Sequence, residues 1–242
     1  MLAKESLLEE AGRELEEFRA IVRNVPYESK GILFSEMYFF WLIARQLSPR
    51  RILESGRARG QSTLILSLCF PRSEIISVEF DRDSPDVSIA ASRLKDRDNV
   101  RLLFGDATRI LPDIIQPGDI ALIDGPKGYR GLRLAIKLLA RGIQGVFVHD
   151  TSNGSSERQF LERRIPEAFY SDQTEFAFLT HSLDADLQDS LAPERRWCEP
   201  EGPTLGYGFS LCCIPQIAER SYARTLYFAV LDGFVERHLR RK

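Results

Sequence analysis

Ile52-Leu53-Glu54-Ser55-Gly56-Arg57-Ala58-Arg59-Gly60-Gln61-Ser62 is the stretch that decides the fold. A short apolar run, Arg51–Leu53, breaks into a glycine turn, and a helical stretch over 61–69 follows. Strand, glycine turn and helix in that order open a βαβ unit, and ligands of open α/β sheets bind at the carboxyl ends of such strands. Glycine supplies positive φ and lets a ligand approach the backbone. The spacing is not G-x-G-x-x-G, and no Gly-Lys-Ser/Thr follows, so a pyrophosphate ligand is not favoured.

Working outward, further apolar runs fall at Ile75–Val78, Val100–Phe104, Ile120–Ile123 and Val146–Val148. They lack polar alternation, as expected of parallel strands buried on both faces. Helical stretches at 86–96, 107–115, 130–141 and 156–168 separate or follow them, and Ser156 with Gln159 suits a capping box for the last. Phe176–Leu179 and Leu205–Cys213 read as two more strands, an antiparallel pair at the end of the sheet. Before the core, 3–23 is an amphipathic helix and 33–47 a strongly apolar one, ended by Pro49. A last helix is expected from Gln216 to Arg240. The expected fold is therefore α/β: a Rossmann-like, doubly wound, mostly parallel seven-stranded sheet with extra N- and C-terminal helices. The whole of 1–242 reads as one domain: helices over 1–47, a core over 48–180, a polar insert or lid over 181–204, and a last strand and helix over 205–242. Trp41 reads as core, and Trp197 in the insert as a candidate substrate-side aromatic.

A net charge of −2 over 242 residues calls for neither nucleic acid nor an anionic membrane. The basic run His238–Lys242 reads as a solvated helix end. The four cysteines match no zinc or disulfide pattern, and Cys212 and Cys213 should face opposite sides of a strand. Free thiols, no signal-like segment and no apolar run long enough to span a bilayer lead to the expectation of a cytoplasmic protein. The amphipathic first helix makes a homodimer an expectation too.

Glu79 closes the second strand run nineteen positions beyond Gly60, where an acid can accept from both ribose hydroxyls of a nucleoside. Asp106, in Gly105-Asp106-Ala107, suits either an adenine amino group or the N-cap of the following helix. Glu54-x-Gly56-x-x-x-Gly60-x-Ser62, with Glu79 and Gly105-Asp106, resembles class I S-adenosylmethionine-dependent methyltransferases, especially the catechol O-methyltransferase-like group. The resemblance spans roughly 33–180. It implies that Glu54 lies near the methionine amino group, that the glycine turn carries the methionyl part, and that Glu79 binds ribose. The implied cofactor set is Glu54, Gly56, Arg57, Gly60, Ser62, Glu79, Phe80, Gly105, Asp106, Ala107 and Asp124.

The same resemblance reaches the next two strand ends. Asp124 and Lys127 match the spacing of that group's metal-binding Asp and its base, and Asp150 matches a second metal ligand. Thr151 stands where Asn is usual. The chain also resembles the cephalosporin hydroxylase-like and sugar O-methyltransferase group, in which an acidic pair closes the fifth strand; His149-Asp150 would replace it. The metal set is then Asp124, Asp150 and His149, and the catalytic set Lys127, Asp124 and His149. For His149 a base or a purely structural role stays open. For Arg57 and Arg59, a grip on an anionic group stands beside plain surface charge.

The implied reaction is methyl transfer from S-adenosylmethionine to a hydroxyl of a small molecule or sugar, assisted by Mg²⁺ or another divalent metal. A lysine near a dication and partly desolvated would have a lowered pKa, fitting it to act as base. Two rivals stand beside this: other chemistry on the same fold, such as N-methylation or a metal-free reaction, and a noncatalytic protein that binds a nucleoside or a partner.

Overall fold

A computed structural model describes residues 4–28, 31–190 and 210–239. Helices α1 (Lys4–Val22) and α2 (Phe34–Leu47) precede the alternating core, in which β1 (Arg51–Ser55), α3 (Gln61–Cys69), β2 (Glu74–Glu79), α4 (Asp86–Leu94) and β3 (Val100–Phe104) come first. Then follow α5 (Ala107–Ile114), β4 (Ile120–Ile123), α6 (Tyr129–Ala140), β5 (Gly145–Val148) and α7 (Ser156–Arg164). The chain closes with β6 (Phe169–Tyr170), α8 (Thr174–Thr180), a 3₁₀ helix (His181–Ser190), β7 (Cys212–Pro215) and α9 (Tyr222–Leu239).

The strands form one seven-stranded sheet in the order β3-β2-β1-β4-β5-β7-β6. The ladder is parallel from β3 to β5, and β7 runs antiparallel to both β5 and β6. Alternate strand residues feed two cores. Ile52, Ile75, Ile120, Leu122, Phe147 and Cys213 face α1, α2 and α3. Leu53, Ile76, Ala121, Ile123, Val148 and Cys212 face α5, α6, α7 and α9. Both faces are covered, which is why the strands read as unbroken apolar runs. Cys212 and Cys213 do face opposite sides.

On the first face, Phe39 and Phe40 of α2 meet Phe147 of β5 with ring centroids 6.4 and 4.3 Å apart. Each such side chain contributes about 2–3 kcal/mol through burial, which fixes α2 over the carboxyl half of the sheet. Trp41 is core, as expected. The stripe of α1 (Leu7, Ala11, Phe18, Val22) is buried against this same chain, so the ground for expecting a homodimer is used internally. Among the described residues, no helix is long and apolar enough to cross a membrane.

The end of the chain departs from expectation. Phe176–Leu179 is not a strand but the middle of α8. Phe176 sits 5.3 Å from Phe39 and 6.1 Å from Tyr38, ring to ring, and Thr180 Oγ1 donates to its carbonyl. Packing on α2 overrides the strand preference of the aromatic run. The sixth strand is instead the two-residue Phe169–Tyr170, just past the stretch 156–168 that reads in sequence as a helix; α7 stops at Arg164, before Pro166. Its N-cap is Ser155, which accepts from the Arg158 amide, not Ser156. The insert opens as a 3₁₀ helix; its later part, with Trp197, and the start of the expected Leu205–Cys213 strand lie outside the described residues. Helix α9 begins at Tyr222, because Gln216 still extends the sheet by donating to the Gln144 carbonyl.

Candidate active site

The strand order reverses between β1 and β4, and the crevice of such sheets opens there. The amides of Asp124 and Gly125 both donate to the Ser55 carbonyl, at 2.8 and 2.9 Å, which draws the turn after β4 against the turn after β1. The approach is so close that a Cβ on Gly56 would lie 2.9 Å from the Gly125 nitrogen, and the φ of Gly56 is +82°. Glycine is required on both counts.

A cleft of about 260 Å³ opens above these turns, lined by Ser55, Gly56, Glu79, Gly105, Asp106 and Arg130 among others. Phe80 and Ala107 line it too, and Phe80 is exposed. Glu79 Oε2 accepts from the amides of Arg57 and Ala58 at 3.2 and 2.9 Å, and Oε1 from the Phe80 amide at 2.8 Å. One carboxylate thus ties the second strand end to the glycine turn. Asp106 caps α5 through Thr108, while its Oδ2 accepts from Arg130 at 2.8 Å. Arg130 on α6 is a cleft residue that sequence reasoning missed; no local pattern marks it.

Five residues of the expected cofactor set, Glu54, Arg57, Gly60, Ser62 and Asp124, are not in this lining, and Asp124 belongs instead to the cluster beside it. Glu54 is fully buried behind the loop, where the hydroxyls of Ser62, Thr63 and Ser77 donate to it; burial pushes its pKa up and the hydroxyls oppose that. Ser62 is thereby occupied with Glu54. Gly60 serves as the left-handed N-cap of α3. Arg57 turns inward: its guanidinium is buried, donates to the carbonyls of Ser77 and Leu103, and lies 4.7 Å from the Phe104 ring centroid. Arg59 pairs with Asp86 and Glu28 at 2.9 and 3.1 Å. Of the two readings open for these arginines, a grip on an anionic group or plain surface charge, neither describes Arg57, which is buried against carbonyls of its own chain, and Arg59 is taken up in ion pairs within the chain.

Beside the cleft, Asp124, Lys127, His149 and Asp150 converge from the ends of β4 and β5. His149 Nδ1 is 2.8 Å from Asp124 Oδ1 and 3.0 Å from Asp150 Oδ1. Lys127 Nζ pairs with Asp124 and lies 2.6 Å from Asp150 Oδ2. Asp150 has a φ of +60°, a left-handed conformation that Asp tolerates better than most residues and that turns its carboxylate into the group. Thr151 points away, to Ser210.

A buried acid from outside the core completes the arrangement. Glu36 Oε2 on α2 lies 3.2 Å from His149 Nε2. Sequence reasoning passed over Glu36, although a lone acid in the apolar run Phe34–Leu47 was the available signal.

The electrostatics follow from three buried or half-buried carboxylates around two bases. Burial lowers the pKa of His149, but Glu36, Asp124 and Asp150 outweigh it and hold the imidazole well above its ordinary value. Desolvation likewise lowers Lys127, and Asp124 and Asp150 overcome it, so the ammonium form is favoured. Asp124 is desolvated upward yet held below the usual carboxylate range by His149 and Lys127. Asp150 is held low in the same way.

The donor chemistry suits a divalent cation. Asp124, His149 and Asp150 offer ligand atoms that all lie within 4.8 Å of one another. The Nδ1–carboxylate distances of 2.8 and 3.0 Å match the roughly 3 Å edge between neighbouring ligands of an ion with bonds of about 2.1 Å. Even with Lys127 and His149 both charged, the carboxylates of Glu36, Asp124 and Asp150 leave one negative charge over.

No protein-family model matches the chain, and no curated protein does. Among solved structures it is similar to the O-methyltransferase TomG from Streptomyces achromogenes in complex with SAM, at 19% identity over 89% of this chain and 92% of that one, with a TM-score of 0.49. It is similar to the O-methyltransferase from Bacillus cereus in complex with SAH, at 17% identity over 89% and 93%, TM-score 0.48. The SAH-bound methyltransferase PaMTH1 from Podospora anserina is similar at 16% identity over 86% and 88%, TM-score 0.45. At such identities the chemistry has to be read from this chain's own residues.

Proposed function

We propose that the chain is an S-adenosylmethionine-dependent methyltransferase that methylates a hydroxyl of a small molecule or sugar, with a divalent metal held by Asp124, His149 and Asp150. The observation that carries this reading is the adjacency of two sites. The turn at Asp124-Gly125-Pro126-Lys127 forms a wall of the cleft with Gly125 and Pro126, and supplies the acid–lysine cluster with its two ends. A cofactor in the cleft and an acceptor at the cluster would share that one turn.

Within this reading Gly56, Glu79, Phe80, Gly105, Asp106 and Ala107 hold the adenosyl part. Glu79 offers its carboxylate to the ribose hydroxyls, and Phe80 its exposed ring to the base. Glu54, Arg57, Gly60 and Ser62 shape the loop from behind. The reaction needs an aligned hydroxyl whose oxygen bonds to the methyl carbon while the carbon–sulfur pair of electrons returns to sulfur. A bound ion would balance the charge of the two aspartates and lower the pKa of a hydroxyl beside it. Lys127 is the group placed to take the hydroxyl proton, and its amine form is the active one. Because the donor set includes an imidazole, Mn²⁺ or Zn²⁺ suits it better than Mg²⁺.

A metal-free version of the same reaction is the second reading. It is favoured by the position of the Lys127 ammonium, which bridges Asp124 and Asp150 where a cation would otherwise balance them.

Calorimetry with S-adenosylmethionine and S-adenosylhomocysteine, with and without Mn²⁺, tests the cofactor reading. Binding of both is expected, and no heat with either would remove it. Transfer of labelled methyl to a panel of hydroxylated small molecules, with and without chelator, separates the metal-assisted reading from the metal-free one.

A further inference from the structure

His149 is held from two sides, and the side away from the strand ends belongs to an element outside the alternating core. We propose that Glu36 is a positioning residue: it accepts the Nε2 proton of His149 and fixes the ring so that Nδ1 faces Asp124 and Asp150. This rests on the site described above but not on the identity of the cation it takes.

The geometry is over-determined. Glu36 and His149 are both buried, their atoms 3.2 Å apart across 113 residues of sequence. The same Glu36 oxygen accepts from the Leu33 amide at 3.0 Å, so the carboxylate is anchored in the first turn of α2. That turn is itself pinned from a distance: Asp184 accepts from the amides of Phe34 and Ser35 at 2.8 and 3.3 Å. Leu33, at the N-cap position, has no side chain able to do this. The positive end of the helix favours a carboxylate there. Among the described residues Glu36 Oε1 is buried with no partner, so the hydrogen bonds of this carboxylate are concentrated on Oε2.

An imidazole that gives its Nε2 proton to a buried carboxylate keeps Nδ1 turned toward the ligand, and a cation taken up there would displace the Nδ1 proton. Metal-binding histidines are commonly oriented in this way, and loss of the outer partner typically weakens metal binding by about 10- to 100-fold.

The chain has three histidines, so their ring nitrogens can be resolved by ¹⁵N–¹H correlation, with His149→Gln assigning the signal. In the intact protein a slowly exchanging Nε2 proton is expected on His149. Glu36→Gln, which keeps an acceptor oxygen of the same shape, should retain that proton with a shifted resonance; Glu36→Ala should lose it. Mn²⁺ affinity should fall about 10- to 100-fold in Glu36→Ala, with most of it restored in Glu36→Gln. Unchanged His149 resonances in both variants would overturn the proposal, as would equal losses of affinity in the two. If Glu36→Ala does not fold, the shift in Glu36→Gln decides. An intact protein that binds no Mn²⁺ yet shows the Glu36-dependent proton would remove the metal reading and leave the positioning role supported.

Discussion

Lys127 Nζ lies 2.6 Å from Asp150 Oδ2 while also pairing with Asp124, so one ammonium bridges the ends of β4 and β5. The bridge makes Lys127 a competitor for any cation at the cluster. Lys127→Met should therefore bind Mn²⁺ about tenfold more tightly or better, since a unit positive charge is removed from beside the ligands. Titration calorimetry of the two proteins measures this; weaker binding by the variant would show that Lys127 does not oppose the ion. Methyl transfer by the variant should fall by about 100-fold or more if Lys127 is the base.

The same bridge sets the pH dependence of turnover. Asp124 and Asp150 raise the pKa of Lys127 above its ordinary value, so the amine form is scarce at neutral pH. Without added metal, kcat/KM should climb about tenfold per pH unit through the alkaline range, short of any plateau near neutrality. Adding Mn²⁺ should bring the plateau to lower pH. A flat profile between pH 7 and 9 without metal would exclude Lys127 as the base.

Glu79 offers a test of the cleft. Its carboxylate holds the Arg57, Ala58 and Phe80 amides, and Glu79→Gln puts an amide donor where one of the two acceptor oxygens stood. S-adenosylhomocysteine affinity should drop about tenfold or more. Calorimetry that finds equal affinity would remove Glu79 from the cofactor site.

At Gly56 the expected cost is structural as well as functional. Alanine there must accept a φ of +82° and a contact of 2.9 Å with the Gly125 nitrogen. Gly56→Ala should lose about 2 kcal/mol or more of stability, with cofactor binding weakened in parallel. Urea unfolding within 0.5 kcal/mol of the parent would show that the two turns can part without strain.

Asp184 gives a prediction for stability. Burial raises its pKa to about 6, although the amides of Phe34 and Ser35 oppose that. Its unfolded value is about 3.9. The native state then binds the extra proton between these values, so this group's contribution to stability is largest below pH 4, falls as pH rises to about 6 and is flat above. The drop is on the order of 2–3 kcal/mol. Asp184→Asn should remove that share of the slope in urea unfolding between pH 4 and 7; an unaltered slope would show that Asp184 does not titrate in this window.

Much of the core is legible in sequence because its signals are local. β1 to β5 are buried on both faces, so each is an apolar run bounded by a turn, and Glu79, Asp106, Asp124 and His149-Asp150 are visible because they end or follow those runs. What escapes is set by distant partners. Phe176 has strand-like neighbours and becomes helical because it packs on Tyr38 and Phe39. β6 is two residues long and exists through its pairing with Cys212 and Cys213. Glu36 gains its place from His149, and Asp184 from α2; a lone acid in an apolar run marks Glu36, but neither partner can be read within a window of sequence. Arg57 sits in the most readable motif of the chain, yet its inward turn depends on the carbonyls of Ser77 and Leu103 and the ring of Phe104.

That inward arginine has a consequence for the charge beneath the loop. Burial lowers its pKa, the carboxylates of Glu54 and Glu79 oppose that, and among the described residues its Nε and Nη2 have no hydrogen-bond partner. The cation is thus matched by acids of its own chain and not by a ligand. A neutral side chain in its place would leave buried acid uncompensated under the glycine turn.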